Sequence, residues 1–193
     1  MEHLILASQS PRRKQLLEQA ELSFVIRTAH SDENFPADME PEQAPLFIAS
    51  NKAEAVFETL NEAEQQNAII IAADTVVILE GKIIGKPTDA DDAKNILRQL
   101  SGKVHKVVTG VVIFSKNKKE EISETTEVHF LPLQEMQIDH YVEKYKPLDK
   151  AGAYAIQEWI GLTGIKKIDG DFYNVMGLPV SQVLNKLSNW HNS

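Results

Sequence analysis

The sequence predicts a fold of mixed strands and helices, α/β or α+β, with a cleft. Three observations carry that expectation. Leu4-Ile5-Leu6-Ala7 is a short apolar run that stops where Ser10-Pro11 can open a helix. Residues 68–79 form the most apolar run of the chain, yet hold Asp74-Thr75 in their middle. Strand and helix patterns then alternate to the end, with neither an internal repeat nor a low-complexity tail.

Taken in order, Leu4–Ala7 reads as a buried strand, and the helix after it has Ser10 as cap, Pro11 at its first position and Leu16, Leu17 and Ala20 as its apolar face. Residues 22–26 fit a second strand ahead of the polar stretch 28–41. A helix over 42–60 turns Phe47, Ile48, Ala53, Val56, Phe57 and Leu60 toward the core. The run 68–79 is strand-like on either side of Asp74. A helix over 88–100 takes Thr88 as its cap and buries Ala93, Ile96, Leu97 and Leu100. Strands over 104–114 and 122–131 are separated by the turn Lys116-Asn117-Lys118-Lys119, and Val128 and Phe130 share a face. A helix at 135–145, a Gly-rich passage at 151–164, a strand at 172–176 and a helix at 179–189 complete the pattern.

Length and composition narrow the function. A chain of 193 residues can bury a full core, and is expected to be one domain over 1–193. Acidic residues outnumber basic ones by 28 to 20, for a net charge of -8, which argues against a broad basic surface and a stable nucleic acid complex. A small anionic ligand needs only two or three basic groups in one pocket. With no cysteine, disulfides, thiolate nucleophiles and thiolate metal sites are excluded, so any metal must use oxygen or imidazole ligands. The apolar run at 4–7 is too short for a signal peptide and nothing later approaches a membrane span, so a cytoplasmic address is expected.

Candidate chemistry falls into three groups. At Ser8 to Arg13 a strand gives way to a helix start, whose free amides and positive dipole suit an anion; Ser8 or Ser10 adds a hydroxyl, and Arg12 and Arg13 add guanidinium forks. A capped surface helix with two solvated arginines is the plainer reading of the same residues. Lys52 and Lys86 each read as surface lysines alone, although Gly85-Lys86-Pro87 sets Lys86 in a stiff loop suited to a leaving pyrophosphate.

Asp74 is the second group. A carboxylate carried by an apolar run must be compensated by backbone amides, a basic side chain or a metal, unless the run is a hairpin with Asp74 in a solvated turn. Asp32-Glu33 can supply further oxygens, and together with Asp74 can hold Mg²⁺. Asp74 can then serve as base for a water attacking the α-phosphorus of a triphosphate. The histidines 30, 105, 129 and 140 lack ligand spacing; His105 is the best placed for a supporting polar role. The third group would read a base: Gln157 offers an acceptor and donors that match a uracil or thymine edge, with Thr75 as a small hydroxyl beside Asp74. Tyr154 reads as a core residue before a stacking surface, and Asn174 as a cleft residue or a backbone cap.

These segments form a longer pattern: Leu4-Ile5-Leu6-Ala7-Ser8-Gln9-Ser10-Pro11-Arg12-Arg13, Asn51-Lys52-Ala53, Ala73-Asp74-Thr75-Val76-Val77, Gly85-Lys86-Pro87, Leu100-Ser101-Gly102-Lys103-Val104-His105, Thr109-Gly110, Leu148-Asp149-Lys150-Ala151-Gly152-Ala153-Tyr154-Ala155-Ile156-Gln157, Ile168-Asp169-Gly170-Asp171 and Val175-Met176-Gly177-Leu178-Pro179. In them the chain resembles the Maf family of nucleotide pyrophosphatases, and is similar to the branch acting on dTTP and UTP. The resemblance implies an elongated mixed-sheet fold of two lobes flanking a deep cleft, as in inosine triphosphate pyrophosphatases, and a homodimer. It implies a hydrolase of phosphoric anhydrides that uses Mg²⁺ or Mn²⁺ and releases a nucleoside monophosphate and pyrophosphate. It places the base on Asp74, phosphate binding on Ser8, Arg12, Arg13, Lys52 and Lys86, the metal on Glu33 and Asp74, and substrate specificity on Arg13, Thr75 and Gln157. The family is also linked to inhibition of septum formation. One departure follows Gln157, where the family usually has glycine and this chain has Glu158. The competing readings are a non-catalytic nucleotide- or nucleic-acid-binding factor in septum formation, which needs the basic cluster but not Asp74, and a phosphomonoesterase or nucleotide diphosphatase using the same pocket.

Overall fold

A computed structural model describes residues 3–190. Strand β1 (His3–Leu6) leads into helix α1 (Pro11–Gln19) and the short strand β2 (Val25–Ile26). Helix α2 (Ala44–Glu58) and helix α3 (Glu62–Gln65) precede the long strand β3 (Ala68–Leu79) and its neighbour β4 (Lys82–Ile84). Then come α4 (Ala90–Leu100), β5 (Val104–Phe114), β6 (Lys119–Phe130) and α5 (Glu135–Tyr145). A 3-10 turn (Ala151–Ala153), α6 (Trp159–Gly164), β7 (Ile165–Asp169), α7 (Phe172–Met176) and α8 (Val180–Ser188) follow.

The strands pair in the order β2-β1-β3-β5-β6-β7, with β4 on β3. β1 runs parallel to both β2 and β3, as the intervening helices require, whereas β3 with β4 and β6 with β7 are antiparallel. This is an α/β fold with a mixed sheet: the alternating pattern left α/β and α+β open, and the resemblance implied the mixed sheet. The chain divides into two compact units, and β3, β5 and β6 each pass from one to the other. The first holds the described residues up to Asp74, Thr109–Glu124 and those from Gly177 on; the second holds Thr75–Val108 and Thr125–Met176.

In the first unit, Ile5, Ala7, Ile70 and Ala72 pack against Ala49, Ala53 and Val56 of α2, with Phe57 edge-on to Phe114 at 5.2 Å. Small residues on both sides let helix and sheet come close. The limit of that approach is Gly110 on β5, where a Cβ would lie 2.3 Å from the amide nitrogen of Leu46. Phe47, expected to face inward, is instead partly exposed and borders an open groove of about 410 Å³ with Met39 and Lys119. That groove includes none of the residues singled out for chemistry.

In the second unit, α4 packs against α5 and the 3-10 turn. Its inner face is Ala93, Ile96, Leu97 and Leu100, as the spacing predicts. Arg98 grips the carboxylate of Glu135 with Nε and Nη2 at 2.8–3.1 Å, and Lys94 meets Asp139 at 2.6 Å. His105, Phe130 and Tyr154 form an edge-to-face cluster, and His105 Nε2 lies 2.8 Å from the Tyr154 hydroxyl. Burial lowers the His105 pKa to about 4, so the ring is neutral near pH 7 and serves the core.

Several local expectations need correction. The cap of α4 is Asp89, whose carboxylate accepts from the Asp92 amide at 2.8 Å, while Thr88 gives its N–H and hydroxyl to the Asp92 carboxylate. Residues 172–176 form helix α7, not a strand, because Asp171 turns the chain by accepting from the Tyr173 amide at 2.7 Å. The strand expected at 22–26 shrinks to Val25–Ile26, both exposed. Lys119 belongs to β6 and not to the preceding turn. β7 carries no clear strand signal in the sequence, because Lys166 and Lys167 break its apolar pattern; such charges suit the end strand of a sheet.

Candidate active site

The phosphate-type group is built at the end of β1. The parallel ladder pairs Leu6 with Ile71, and the Ala7 amide donates to the Ile71 carbonyl at 2.8 Å. There β1 stops and the chain turns into α1, while β3 runs on through Asp74 to Leu79. Ser8 and the start of α1 therefore lie at the carboxyl end of β1, and Asp74 just beyond the stretch of β3 that runs parallel to it, on the side where open α/β sheets gather their ligands. Ser10 caps α1 by accepting from the Arg13 amide, with Pro11 in the first turn, as the sequence predicts.

Arg13 does more than a solvated surface arginine. It is 9% exposed, its Nε donates to the Gly177 carbonyl at 2.7 Å, and Nη1 donates to Ser8 Oγ at 3.2 Å. Ser8 Oγ also accepts from the Ser10 amide at 3.2 Å. Burial lowers the Arg13 pKa from its ordinary value, and the negative charge of Asp74 is the largest influence opposing that shift. A guanidinium stays charged under such a shift. The solvated-arginine reading is thereby excluded for Arg13, whereas Arg12 sits half-buried beside it on α1. The role of Gly177 was not read from the sequence, since a backbone carbonyl carries no side-chain signal.

The acidic group is organised by one lysine. Lys52 projects from α2 with its ammonium 2.8 Å from Asp74 Oδ1 and 2.8 Å from Glu33 Oε1. Lys52 and Asp74 are each 19% exposed and Glu33 is 63% exposed, so the trio runs from a sheltered end to an open one. The compensation that a carboxylate in an apolar strand demands is thus a basic side chain. β3 is continuous through Asp74, which removes the hairpin-turn reading.

Asn51 and Lys52 hold adjacent parts of the 28–41 stretch: Asn51 Nδ2 donates to the Asp32 carbonyl at 3.3 Å, beside the Lys52–Glu33 pair. Asp32 spends an oxygen locally, with Oδ1 accepting from the Asn34 amide at 2.9 Å and from its side chain at 2.7 Å. Sequence reading singles out Lys52 and Asp32-Glu33 separately; the contacts that join Asn51-Lys52 to Asp32-Glu33 carry no local signal.

The other three candidates belong to the second unit. Thr75 is half-buried on β3 directly after Asp74. Lys86 is exposed, and its loop is held where the Gly152 amide donates to the Gly85 carbonyl at 3.1 Å. Gln157 is exposed on the turn between the 3-10 segment and α6. Tyr154 is buried, and Asn174 is wholly buried with its amide donating to Val107 O at 3.0 Å and Thr126 Oγ1 at 2.9 Å; both serve the core.

The family model described as "Maf-like protein" matches residues 3–190. The chain belongs to the Maf family. It is 49% identical over 189 residues to a protein of Cytophaga hutchinsonii named dTTP/UTP pyrophosphatase, covering 98% of this chain and 84% of that one. A protein of the same name from Porphyromonas gingivalis is 45% identical, with 98% and 95% of the two chains covered. One from Bacillus velezensis is 44% identical, with 97% and 96% covered. The Maf match therefore includes every element that carries a candidate residue, from Ser8 to Gln157.

Proposed function

We propose that this Maf protein hydrolyses dTTP and UTP to the nucleoside monophosphate and pyrophosphate. The observation that carries the reading is the sheltered Asp74 carboxylate in the middle of an apolar strand, held by Lys52 and within the electrostatic reach of buried Arg13. Such an arrangement stores no core stability that a leucine would not supply, but it suits an anionic substrate. The relatives named dTTP/UTP pyrophosphatase support the substrate class.

In the proposed reaction, Ser8, Arg12, Arg13, Lys52 and Lys86 bind the phosphates, and fixed cationic groups offset charge that grows toward the leaving pyrophosphate. Asp74 takes a proton from a water whose oxygen forms the new bond to the α-phosphorus. The bond from that phosphorus to the bridging oxygen breaks, and pyrophosphate departs with the electron pair. Arg13, Thr75 and Gln157 are assigned to specificity, with Gln157 facing the edge of the pyrimidine.

Mg²⁺ or Mn²⁺ is part of the proposal. Among the described residues no group of three or more His, Cys, Asp or Glu could hold a metal ion. Glu33 and Asp74 nevertheless converge on one point, since both lie 2.8 Å from the same lysine nitrogen. Two hard carboxylate donors fit a cation that completes its shell with waters and substrate phosphates. When bound by Glu33 and Asp74, the ion would offset phosphate charge and acidify water.

The inosine triphosphate pyrophosphatase-like deep cleft, the single functional domain, the homodimer, the cytoplasmic address and a link to septum formation belong to the same proposal and follow the family resemblance. No helix among the described residues is long and apolar enough to cross a membrane. The test is a product assay across pyrimidine and purine nucleoside triphosphates with Mg²⁺ or Mn²⁺. Equimolar monophosphate and pyrophosphate from dTTP and UTP, with purines poorer, is the expected result. Stepwise release of orthophosphate, or a purine preference, would overturn it.

A further inference from the structure

Gln157 makes no hydrogen bond with its side chain among the described residues, yet the turn that carries it is tied down on both flanks. The Glu158 amide donates to the Ala155 carbonyl at 3.0 Å, closing the turn, and the Gly161 amide donates to the Glu158 carbonyl at 2.9 Å. The flanks also meet at one hydroxyl. Tyr141, fully buried on α5, accepts from the Ala155 amide at 3.1 Å and donates its proton to the Glu158 carboxylate. The other Glu158 oxygen faces the buried ammonium of Lys150 at 3.7 Å, which also binds Asp149 at 2.8 Å.

Turn residues that carry an unpaired exposed side chain ordinarily drift over several rotamers and backbone states. Here the residue two before Gln157 and the residue after it are fixed to the same buried oxygen, so the backbone that aims Gln157 has little freedom. The carboxylate of Glu158 is the member that joins the hydroxyl to the lysine. Glycine at this place would leave both without that partner.

We propose that Glu158 is a positioning residue for pyrimidine selection: through the Tyr141 hydroxyl and the Lys150 ammonium it fixes the 155–158 turn and so the direction of the Gln157 carboxamide. The inference rests on the assignment of Gln157 to the base edge. It gives Glu158 no contact with the reacting atoms. Its loss therefore weakens ground-state recognition of the base and spares the chemical step.

The experiment compares Glu158→Ala, Glu158→Gln, Tyr141→Phe and Gln157→Ala in steady-state kinetics with dTTP, UTP and dATP. Glu158→Ala is expected to raise KM for dTTP and UTP about 3- to 10-fold, the scale of one lost hydrogen bond, with kcat within about twofold and a smaller preference over dATP. Glu158→Gln keeps an acceptor for the tyrosine and stays within about twofold of the parent on all three measures. Tyr141→Phe must reproduce the Glu158→Ala pattern, which keeps the test decisive if the alanine variant does not fold. In a Gln157→Ala background, Glu158→Ala adds less than about twofold.

An unaltered preference in Glu158→Ala or Tyr141→Phe overturns the positioning role while leaving Gln157 in place. An undiminished further effect of Glu158→Ala without Gln157 does the same, because the carboxylate then acts by another route. If Gln157→Ala alone leaves pyrimidine preference unchanged, the base-reading assignment fails and the positioning role falls with it.

Discussion

Replacing Asp74 by asparagine lowers turnover of dTTP about 10²- to 10⁴-fold, the range lost when a positioned general base is removed. The substitution keeps the size of the side chain and an oxygen that can still accept from Lys52, so little packing is disturbed. Lys52 retains its second partner, Glu33, at 2.8 Å. Because Asp74 is 19% exposed, the lost charge is partly replaced by water. The stability cost is expected near 1 kcal/mol, equivalent to about 2–4 °C in Tm for a chain of this length. Initial rates of dTMP formation, measured beside a thermal melt, separate the two effects. Turnover close to the parent in a folded variant would remove Asp74 from the role of base.

Gly110→Ala is the substitution with the largest expected cost to the fold. Its Cβ would lie 2.3 Å from Leu46 N, 2.4 Å from Leu46 Cα and 2.5 Å from Pro45 C. All three obstacles are backbone at the start of α2, so no side-chain rotation relieves them. The helix must move until these contacts approach the ~3.5 Å of ordinary packing, and the small residues that seat it on the sheet lose their fit. A loss of about 3 kcal/mol or more follows, seen as a fall in Tm of roughly 6–12 °C. Because α2 also carries Asn51 and Lys52, the surviving folded fraction is expected to hold Glu33 and Asp74 less well and to turn over more slowly. A melt within 2 °C of the parent, by the same order-of-magnitude scaling, would contradict this account of helix–sheet approach.

Much of the site was legible in the sequence because its signals are local. Ser10 and Pro11 announce the start of α1, and a carboxylate with six apolar residues before it and, beyond Thr75, four after it announces that something must neutralise it. What sequence left open was the identity of that partner, since Lys52 stands 22 residues away on another element. Arg13 shows the same limit. Two adjacent arginines look alike in sequence, and only the fold brings Gly177 O to one of them.

The misread elements fail for physical reasons of the same kind. Phe172-Tyr173-Asn174-Val175-Met176 has the composition of a strand, but Asn174 is buried to hold Val107 O and Thr126 Oγ1, and Phe172 and Tyr173 are exposed together. Tertiary hydrogen bonding there outweighs β propensity. Thr88 and Asp89 are both good caps, and the choice between them depends on which one reaches the Asp92 amide. Gln157 was legible as a chemical type; the Tyr141–Glu158–Lys150 set that steadies it was not, because its members come from three separate segments.

In the proposed reaction, water activated by Asp74 attacks the α-phosphorus of a bound pyrimidine triphosphate. Hydrolysis of dTTP in water enriched in heavy oxygen, followed by mass spectrometry of both products, tests it most directly. Attack at the α-phosphorus puts the heavy oxygen in dTMP and none in pyrophosphate. Heavy oxygen in the pyrophosphate, or in released orthophosphate, would contradict it.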